Sequence, residues 1–449
     1  MGQGSIKAAA LCAALTLQAG CDTALSDNPV VAKLSTGMDT RVTPDADGTQ
    51  VAALAQTPTQ HDTTLNAESV VLQNLLARQS VLPTGSAYDQ VSTAVLAANA
   101  RAAETELRAA RLRAAAASKN WLPTIGPSIS LNSLGDLISQ IVVDAVLFDN
   151  GRKKGERAFA KADVEVAAVA LAEDTNDRIA TALGLYLDAA QAREAAALHR
   201  ATLKDMQHFE WVMSERVKGG VSDMSDLNVI RAKLSEIRAA AAAATETQRT
   251  ALAELTAMAI APLDDVRGVQ TLSVRGAEAQ PLSITRAEAE KSRSIAQARI
   301  DRASQLPGIG AQATIGENGG AGITVGGPGL GLGTPARLRA IEAASEAAGR
   351  QVAQANEDAN RTLRRLEGDV SATARQAGEA RTLTQAARAN LDLFQAQYQG
   401  GQRQVMDVVG VHETFAARQA AELELKYDAL RLQVELARVQ GVLADGDQI

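Results

Sequence analysis

The sequence predicts a mostly α-helical, internally duplicated chain in which very long coiled-coil helical hairpins alternate with two pairs of β-strands. Three observations carry this. The stretch Gly219-Gly220-Val221-Ser222-Asp223-Met224-Ser225-Asp226-Leu227 recurs in outline as Gly400-Gly401-Gln402-Arg403-Gln404-Val405-Met406-Asp407-Val408, with Gly-Gly, five residues, Asp and an aliphatic in the same spacing. Each copy stands between long alanine-rich stretches, and glycine tolerates the left-handed backbone that ends a helix. The apolar fraction is 46% while the aromatic fraction is 2%, so the helices pack through Ala, Leu and Val, as closely spaced coiled coils do. Finally, two segments change from the helical period to a period of two.

The first twenty residues carry Lys7, an apolar run from Ala8 to Leu17 and the small pair Ala19-Gly20. This is the layout of an export signal, too short for a permanent span. Gly20-Cys21 resembles a bacterial lipobox, with Cys21 as the lipidation site. Gln18 stands three before the cysteine and the usual Leu one earlier, at Leu17, so ordinary cleavage beside an incidental cysteine stays open. Cys12 and Cys21 are the chain's two cysteines, which excludes a disulfide framework after cleavage. Residues 21–63, rich in Thr, Asp, Pro and Gly, read as a flexible tether.

A first repeat covers 64–261. Helical pattern over Ala67–Ser80 breaks at Pro83-Thr84-Gly85, resumes from Ala87 to Lys119 and stops before Leu122-Pro123, since proline disfavours helix at the preceding residue. Over 124–148, Ile125, Ile129 and Leu131 alternate with small or polar residues, and Leu137, Ser139, Ile141, Val143, Ala145 and Leu147 alternate with Ile138, Gln140, Val142 and Asp144, which predicts a strand hairpin. Each arm has about the ~9–11 residues of a tilted membrane strand; a small soluble hairpin is the alternative. Asp149-Asn150-Gly151 opens a helix to Lys218, on the order of 100 Å long. Leu203, Met206, Phe209, Met213 and Val217 mark its buried seam. The tip at 218–225 turns the chain into a second helix that ends before Pro262, where a connector over 262–283 begins.

The second repeat covers 284–444, before a short tail at 445–449. Leu306-Pro307-Gly308-Ile309-Gly310 repeats Leu122-Pro123-Thr124-Ile125-Gly126, an internal duplication about 180 residues apart. A second strand hairpin is expected over 308–333, with its turn at Glu317-Asn318-Gly319-Gly320 and a kink at Gly326-Gly327-Pro328-Gly329. Thr334-Pro335 then starts a helix to Gln399, and the tip at 399–404 leads into a last helix with Leu432, Leu436, Val439 and Leu443 at coiled-coil spacing.

Four strands in one chain leave open edges that lipid does not tolerate. Closure needs several chains, and three would give a water-filled barrel of twelve strands.

This order of elements resembles the TolC family of outer-membrane export channels over about residues 64–444. The doubled Leu-Pro-x-Ile-Gly, Leu147-Phe148-Asp149-Asn150-Gly151-Arg152, and the doubled Gly-Gly tip carry the resemblance. It implies a homotrimer, a 12-stranded β-barrel continuous with an α-helical barrel across the periplasm. It also implies a periplasmic adaptor (membrane fusion) protein and an inner-membrane transporter as partners. Ser225 and Asp226 match the family's polar gate positions on the first hairpin, Tyr398 and Arg403 the residues that reach them, and Asp407 a pore-lining aspartate. The family's next aspartate is replaced by Gly410. Gly219, Gly220, Val221, Gly400 and Gly401 stand where an adaptor meets the tips. Asp226 and Asp407 equally suit acids at helix N-termini, and Tyr398 suits seam packing. The chain from Tyr398 through Arg403 to Tyr427 resembles type I protein-secretion members more than drug-efflux ones.

Net charge is -7, against a nucleic-acid partner. His61, His199, His208 and His412 are scattered, with no pair at metal-ligand spacing, no nucleophile elbow and no phosphate loop, so no cofactor and no enzyme activity are expected. Arg152-Lys153-Lys154 suit either phospholipid headgroups or a solvated face. Asp22 after Cys21 resembles an inner-membrane retention signal; the barrel nevertheless places the chain in the outer membrane. A lipid-anchored or soluble periplasmic scaffold without a pore is the competing function.

Overall fold

A computed structural model describes residues 69–98, 102–131, 137–274, 279–316, 319–327 and 331–448. The export signal, Cys21, the tether and the two strand-turn sequences 132–136 and 317–318 lie outside the described residues, as do 328–330 of the glycine-rich kink.

The elements follow in the order α1 (Val70–Leu76), α2 (Ala87–Ala97), α3 (Ala102–Ser118), β1 (Thr124–Leu131), β2 (Leu137–Phe148), α4 (Arg152–Lys218) and α5 (Met224–Met258). Then come α6 (Leu282–Ser304), β3 (Gly308–Ile315), β4 (Gly320–Gly326), α7 (Thr334–Gln399) and α8 (Val405–Gln440), closed by a short 3-10 turn, Gly446–Gln448. The second strand pair, expected to reach residue 333, ends at Gly326. Gly327 leaves the strand at φ 150, and a Cβ there would stand 2.9 Å from Pro307 Cα, so the backbone must turn away beside Pro307.

α4 and α7 span 67 and 66 residues, about 100 Å each. Their length is possible because small residues let neighbouring backbones approach: Gly155 of α4 faces Ile300 of α6 so closely that a Cβ would meet Ile300 Cγ1 at 2.9 Å. Asp149 starts α4 by accepting hydrogen bonds from Gly151 N at 3.0 Å and Lys153 N at 2.7 Å. Asn150, the chain's one described non-glycine residue at positive φ, donates Nδ2 to Pro307 O at 2.8 Å and so ties the two repeats together.

The strands form one antiparallel sheet in the order β1-β2-β3-β4. Side chains alternate between faces, so cross-strand rows each belong to one face. The rows Ile125–Val143–Ala313–Ala321, Pro127–Ile141–Ile315 and Ala145–Ala311–Ile323 make one face apolar, with Ser139, opposite Ile129, as its one polar position among the described pairs. A bulge between Val146 and Phe148 adds Phe148–Ile309–Val325 to it. The other face carries Thr124–Asp144–Gln312–Gly322, Gly126–Val142–Thr314–Gly320 and Ser128–Gln140. Ile125, Ile315, Ile323 and Val325 are all more than 60% exposed, and β1 and β4 each have one edge unpaired.

Among the described residues three larger cores, and a small cluster of Ala189, Ala251 and Leu252, hold the helices. The largest gathers Tyr88, Tyr186 and Tyr427 with Ile179, Leu183, Leu187, Leu255 and Leu443. Each buried Leu or Ile contributes about 1.5–3 kcal/mol. The connector crosses this core: Tyr186 Oη donates to Gly268 O at 2.6 Å, and Leu272 N donates to Gln433 Oε1 at 2.8 Å. A second core joins α1, α3, α4 and α6 through Leu72, Leu107, Val169 and Leu282.

Beside the first core, Arg78 is 6% exposed. Its Nη1 donates to the carbonyls of Gln440 (2.7 Å) and Gly441 (3.1 Å), and its Nη2 to Gln280 O (2.6 Å). A cation at the last carbonyls of α8 suits the helix dipole, while burial draws the guanidinium pKa down to about 10. The same region pairs Val81 N with Val442 O and Ser80 N with Asp445, locking the segment before α2 to the end of the chain.

Candidate functional site

The third core lies where the two helical hairpins end, and it is built from all four helix ends. Met206, Phe209 and Met213 of α4, Leu227, Ile230 and Leu234 of α5, Leu391 of α7, and Val405, Val408, Val409 and Phe415 of α8 form one buried cluster. The tips are therefore neighbours within a single chain.

Both turns use the same device. At the first, Gly220 has φ 72, Val221 N donates to Arg216 O (2.9 Å) and Gly220 N to Val217 O (3.0 Å). At the second, Gly401 has φ 77, Gln402 N donates to Gln397 O and Gly401 N to Tyr398 O, both at 2.9 Å. This is a Schellman closure, in which the second glycine of each pair takes the left-handed position.

The starts of the following helices differ. Asp223 precedes α5 without a side-chain cap, and Ser222 Oγ instead accepts from Arg216 Nε at 3.0 Å. Gln404 and Asp407 form a reciprocal capping box at α8, with Gln404 N donating to Asp407 Oδ2 at 3.1 Å.

The sequence-predicted site residues fall as follows. Ser225 is exposed and Asp226 half-buried in the first turn of α5. Tyr398 is half-buried against the tip core. Arg403 is exposed; its Nε donates to Gln397 Oε1 at 3.0 Å, and its guanidinium carbon lies 4.5 Å from the centroid of the Phe394 ring. Among the described residues no ion pair joins Arg403 to Asp226, so one chain alone does not form that latch. Asp407 is exposed at the α8 start. Gly219, Gly220, Gly400 and Gly401 are exposed, as is Val221 at 64%, with Met224 and Trp211 exposed nearby.

Sequence reading missed His412. Its side chain is 3% exposed, and Nε2–H donates to Asp205 Oδ2 at 3.0 Å. The ring meets Phe209 and Phe415 edge-on at 6.0 and 6.4 Å, and Nδ1 is buried without a partner. The i, i+3 pair His412–Phe415 was the available signal. Just behind the tip core, an open cavity of about 510 Å³ lies between α4, α5 and α8. Leu198, Met206, Ile237 and Leu423 line it, with the Lys233–Glu413 ion pair on its wall.

Of the basic run at the α4 start, Arg152 pairs with Glu156 at 3.1 Å and Lys153 Nζ donates to Asn120 O. Trp121, 63% exposed, and Phe148, 55% exposed, stand at the same end of the sheet. Among the described residues no cluster of His, Cys, Asp or Glu suits a metal ion, and no helix is long and apolar enough to cross a membrane.

No family model and no curated protein matches the chain. Solved structures do. The Campylobacter jejuni CmeC outer-membrane channel aligns at 13% identity with TM-score 0.67, over 80% of this chain and 86% of that one. The open state of the Neisseria gonorrhoeae MtrE outer-membrane channel aligns at 16% identity with TM-score 0.67, over 82% and 95%. The Vibrio cholerae outer-membrane protein VceC aligns at 17% identity with TM-score 0.63, over 86% and 99%. With its duplicated hairpins, its four-stranded sheet and these similarities, the chain has the fold of the TolC family of outer-membrane channels.

Proposed function

We propose that this protein is the outer-membrane channel of a tripartite export system. Three copies form a barrel of twelve strands continued by a helical tunnel across the periplasm. The observation that carries this reading is the sheet. One face is exposed and apolar apart from Ser139, the other is polar or glycine apart from Ile138, Val142 and Val146, and both edges are free among the described residues. An apolar face suits lipid and a polar one a water-filled lumen. Free edges suit pairing with further copies, because lipid leaves no backbone group unpaired. Trp121 and Phe148 at the helical end suit an aromatic girdle at the membrane surface.

In this reading the tips form the periplasmic entrance. Ser225, Asp226, Tyr398, Arg403 and Asp407 hold it closed through contacts between copies, and three Asp407 carboxylates around one axis attract cations. The exposed Gly219, Gly220, Val221, Gly400 and Gly401 meet a periplasmic adaptor, and an inner-membrane transporter supplies the cargo. That cargo is a protein in the type I secretion case and a small molecule in the efflux case. Cys21 lipidation adds a second anchor to the same membrane.

The test is purification from membranes followed by recording in a planar bilayer. Recovery with the outer membrane, a detergent-solubilised mass of three chains and stepwise conductance are expected. Extraction without detergent together with no conductance would establish the poreless scaffold instead. Cargo follows from which transporter co-purifies.

A further inference from the structure

We infer that Asp144 is a cation filter within the membrane wall, a second selectivity element separate from the helical tips. The inference rests on the trimeric pore proposed above.

Among the described strand residues, Thr124–Leu131, Leu137–Phe148, Gly308–Ile315 and Gly320–Gly326, Asp144 is the one ionisable side chain. Register fixes its face. Asp144 pairs with Thr124 on one side and Gln312 on the other, and Gln312 pairs with Gly322. The rows on either side of it belong to the apolar face, Ile125–Val143–Ala313–Ala321 and Ala145–Ala311–Ile323. Asp144 therefore projects away from lipid, the placement a carboxylate in a membrane wall requires.

Nothing nearby neutralises it. The side chain is exposed, and no hydrogen bond or ion pair engages it among the described residues. The flanking rows of its own face, Gly126–Val142–Thr314–Gly320 and Val146–Gly310–Thr324, carry no charge. Gly322 projects no side chain, so the row narrows the lumen little. Three copies thus place three unpaired carboxylates at one level, beside the first residue of β1 and hence near the helical end of the wall. Rings of acidic side chains favour cations in a pore. In a lumen wider than a single-file filter the effect depends on screening: the field reaches ~10 Å at 0.1 M salt and ~30 Å at 0.01 M.

The test is the reversal potential of the purified trimer in a planar bilayer under a KCl gradient, at 0.1 M and below. The wild type should prefer K+ over Cl−. Asp144→Asn should lower the K+/Cl− permeability ratio at least about twofold while leaving conductance in 1 M KCl unchanged, since screening there is nearly complete. Gln312→Lys, which sets a cation beside an intact Asp144, should lower it as well, and serves if the Asn variant does not assemble. Asp144→Glu should keep the wild-type ratio. An unchanged ratio in Asp144→Asn or Gln312→Lys channels of normal conductance overturns the filter while leaving the pore standing. Absence of any wild-type conductance overturns the pore, and the filter with it.

Discussion

The Arg403 guanidinium carbon lies 4.5 Å from the centre of the Phe394 ring on the preceding helix, and the guanidinium is not engaged with Asp226. Phe394 is half-buried against the tip core while Arg403 is exposed; such a stack is worth about 0.5–1 kcal/mol near the surface, and an exposed ion pair at most about 1 kcal/mol. The two settings are near in energy, so a neighbouring copy's Asp226 can compete for Arg403 without a large barrier in free energy. Asp226→Ala and Arg403→Ala should each raise single-channel conductance, and the double variant should exceed neither. Phe394→Leu, which removes only the competing stack, should favour the closed level. Single variants with wild-type conductance would remove this pair from the gate.

Behind the latch, His412 is buried with one ring nitrogen unpartnered, while its Asp205 partner is 51% exposed. Leaving a buried polar atom without a partner costs about 1–3 kcal/mol, more than the roughly 0.5–1.5 kcal/mol that a typical hydrogen bond contributes. His412→Phe removes the orphan, keeps the ring between Phe209 and Phe415, and leaves Asp205 to water. Its thermal midpoint should stay level or rise, whereas His412→Ala should cost on the order of 3 kcal/mol through the cavity it leaves. A marked fall in the Phe variant would show that the Asp205 bond outweighs the orphaned nitrogen.

High pH reports on the large core. Burial pushes the Tyr88 hydroxyl up to about 12 and raises Tyr186, and burial with Glu194 raises Tyr427 further. Each folded pKa lies above the ordinary value of about 10. Their contribution is thus intact below pH 10 and is lost as pH rises through the folded values. Arg78, drawn down to about 10, acts in the opposite direction over the same window, as one group against three. Stability to denaturant should therefore fall between about pH 10 and 12, with tyrosinate absorbance appearing together with unfolding. Tyr88→Phe should flatten the decline. A tyrosinate signal well before unfolding would show that the core admits water.

What was legible in the sequence is what repeats. Gly220 and Gly401 could be read because left-handed helix ends favour glycine, and both copies carry it in the same register. The strands could be read because a sheet with two different faces imposes a period of two. Arg78 could not be read: its three carbonyl partners lie roughly 200 and 360 residues further along the chain, and nothing local marks a guanidinium for burial. The tyrosine core is equally non-local. At the tips, glycine spacing marked both turns but not that Asp223 leaves α5 without a side-chain cap while Ser222 accepts from Arg216. Such competition between side chains leaves no trace in spacing.

Asp407 has two candidate roles that one substitution separates. It accepts from Gln404 N in the capping box and stands exposed at the helix start, where an acid also suits the dipole. Asn keeps a side-chain oxygen as acceptor and removes the charge; Ala removes both. Asp407→Asn should therefore lose only the dipole contribution, on the order of 0.3 kcal/mol at an exposed site, whereas Asp407→Ala loses about 1 kcal/mol. If three Asp407 carboxylates line the entrance, Asp407→Asn also lowers cation preference in dilute salt, and the loss fades as salt is raised. An Asn variant with unaltered selectivity would leave Asp407 as a helix-capping acid, and any remaining cation preference would then have to arise in the membrane wall.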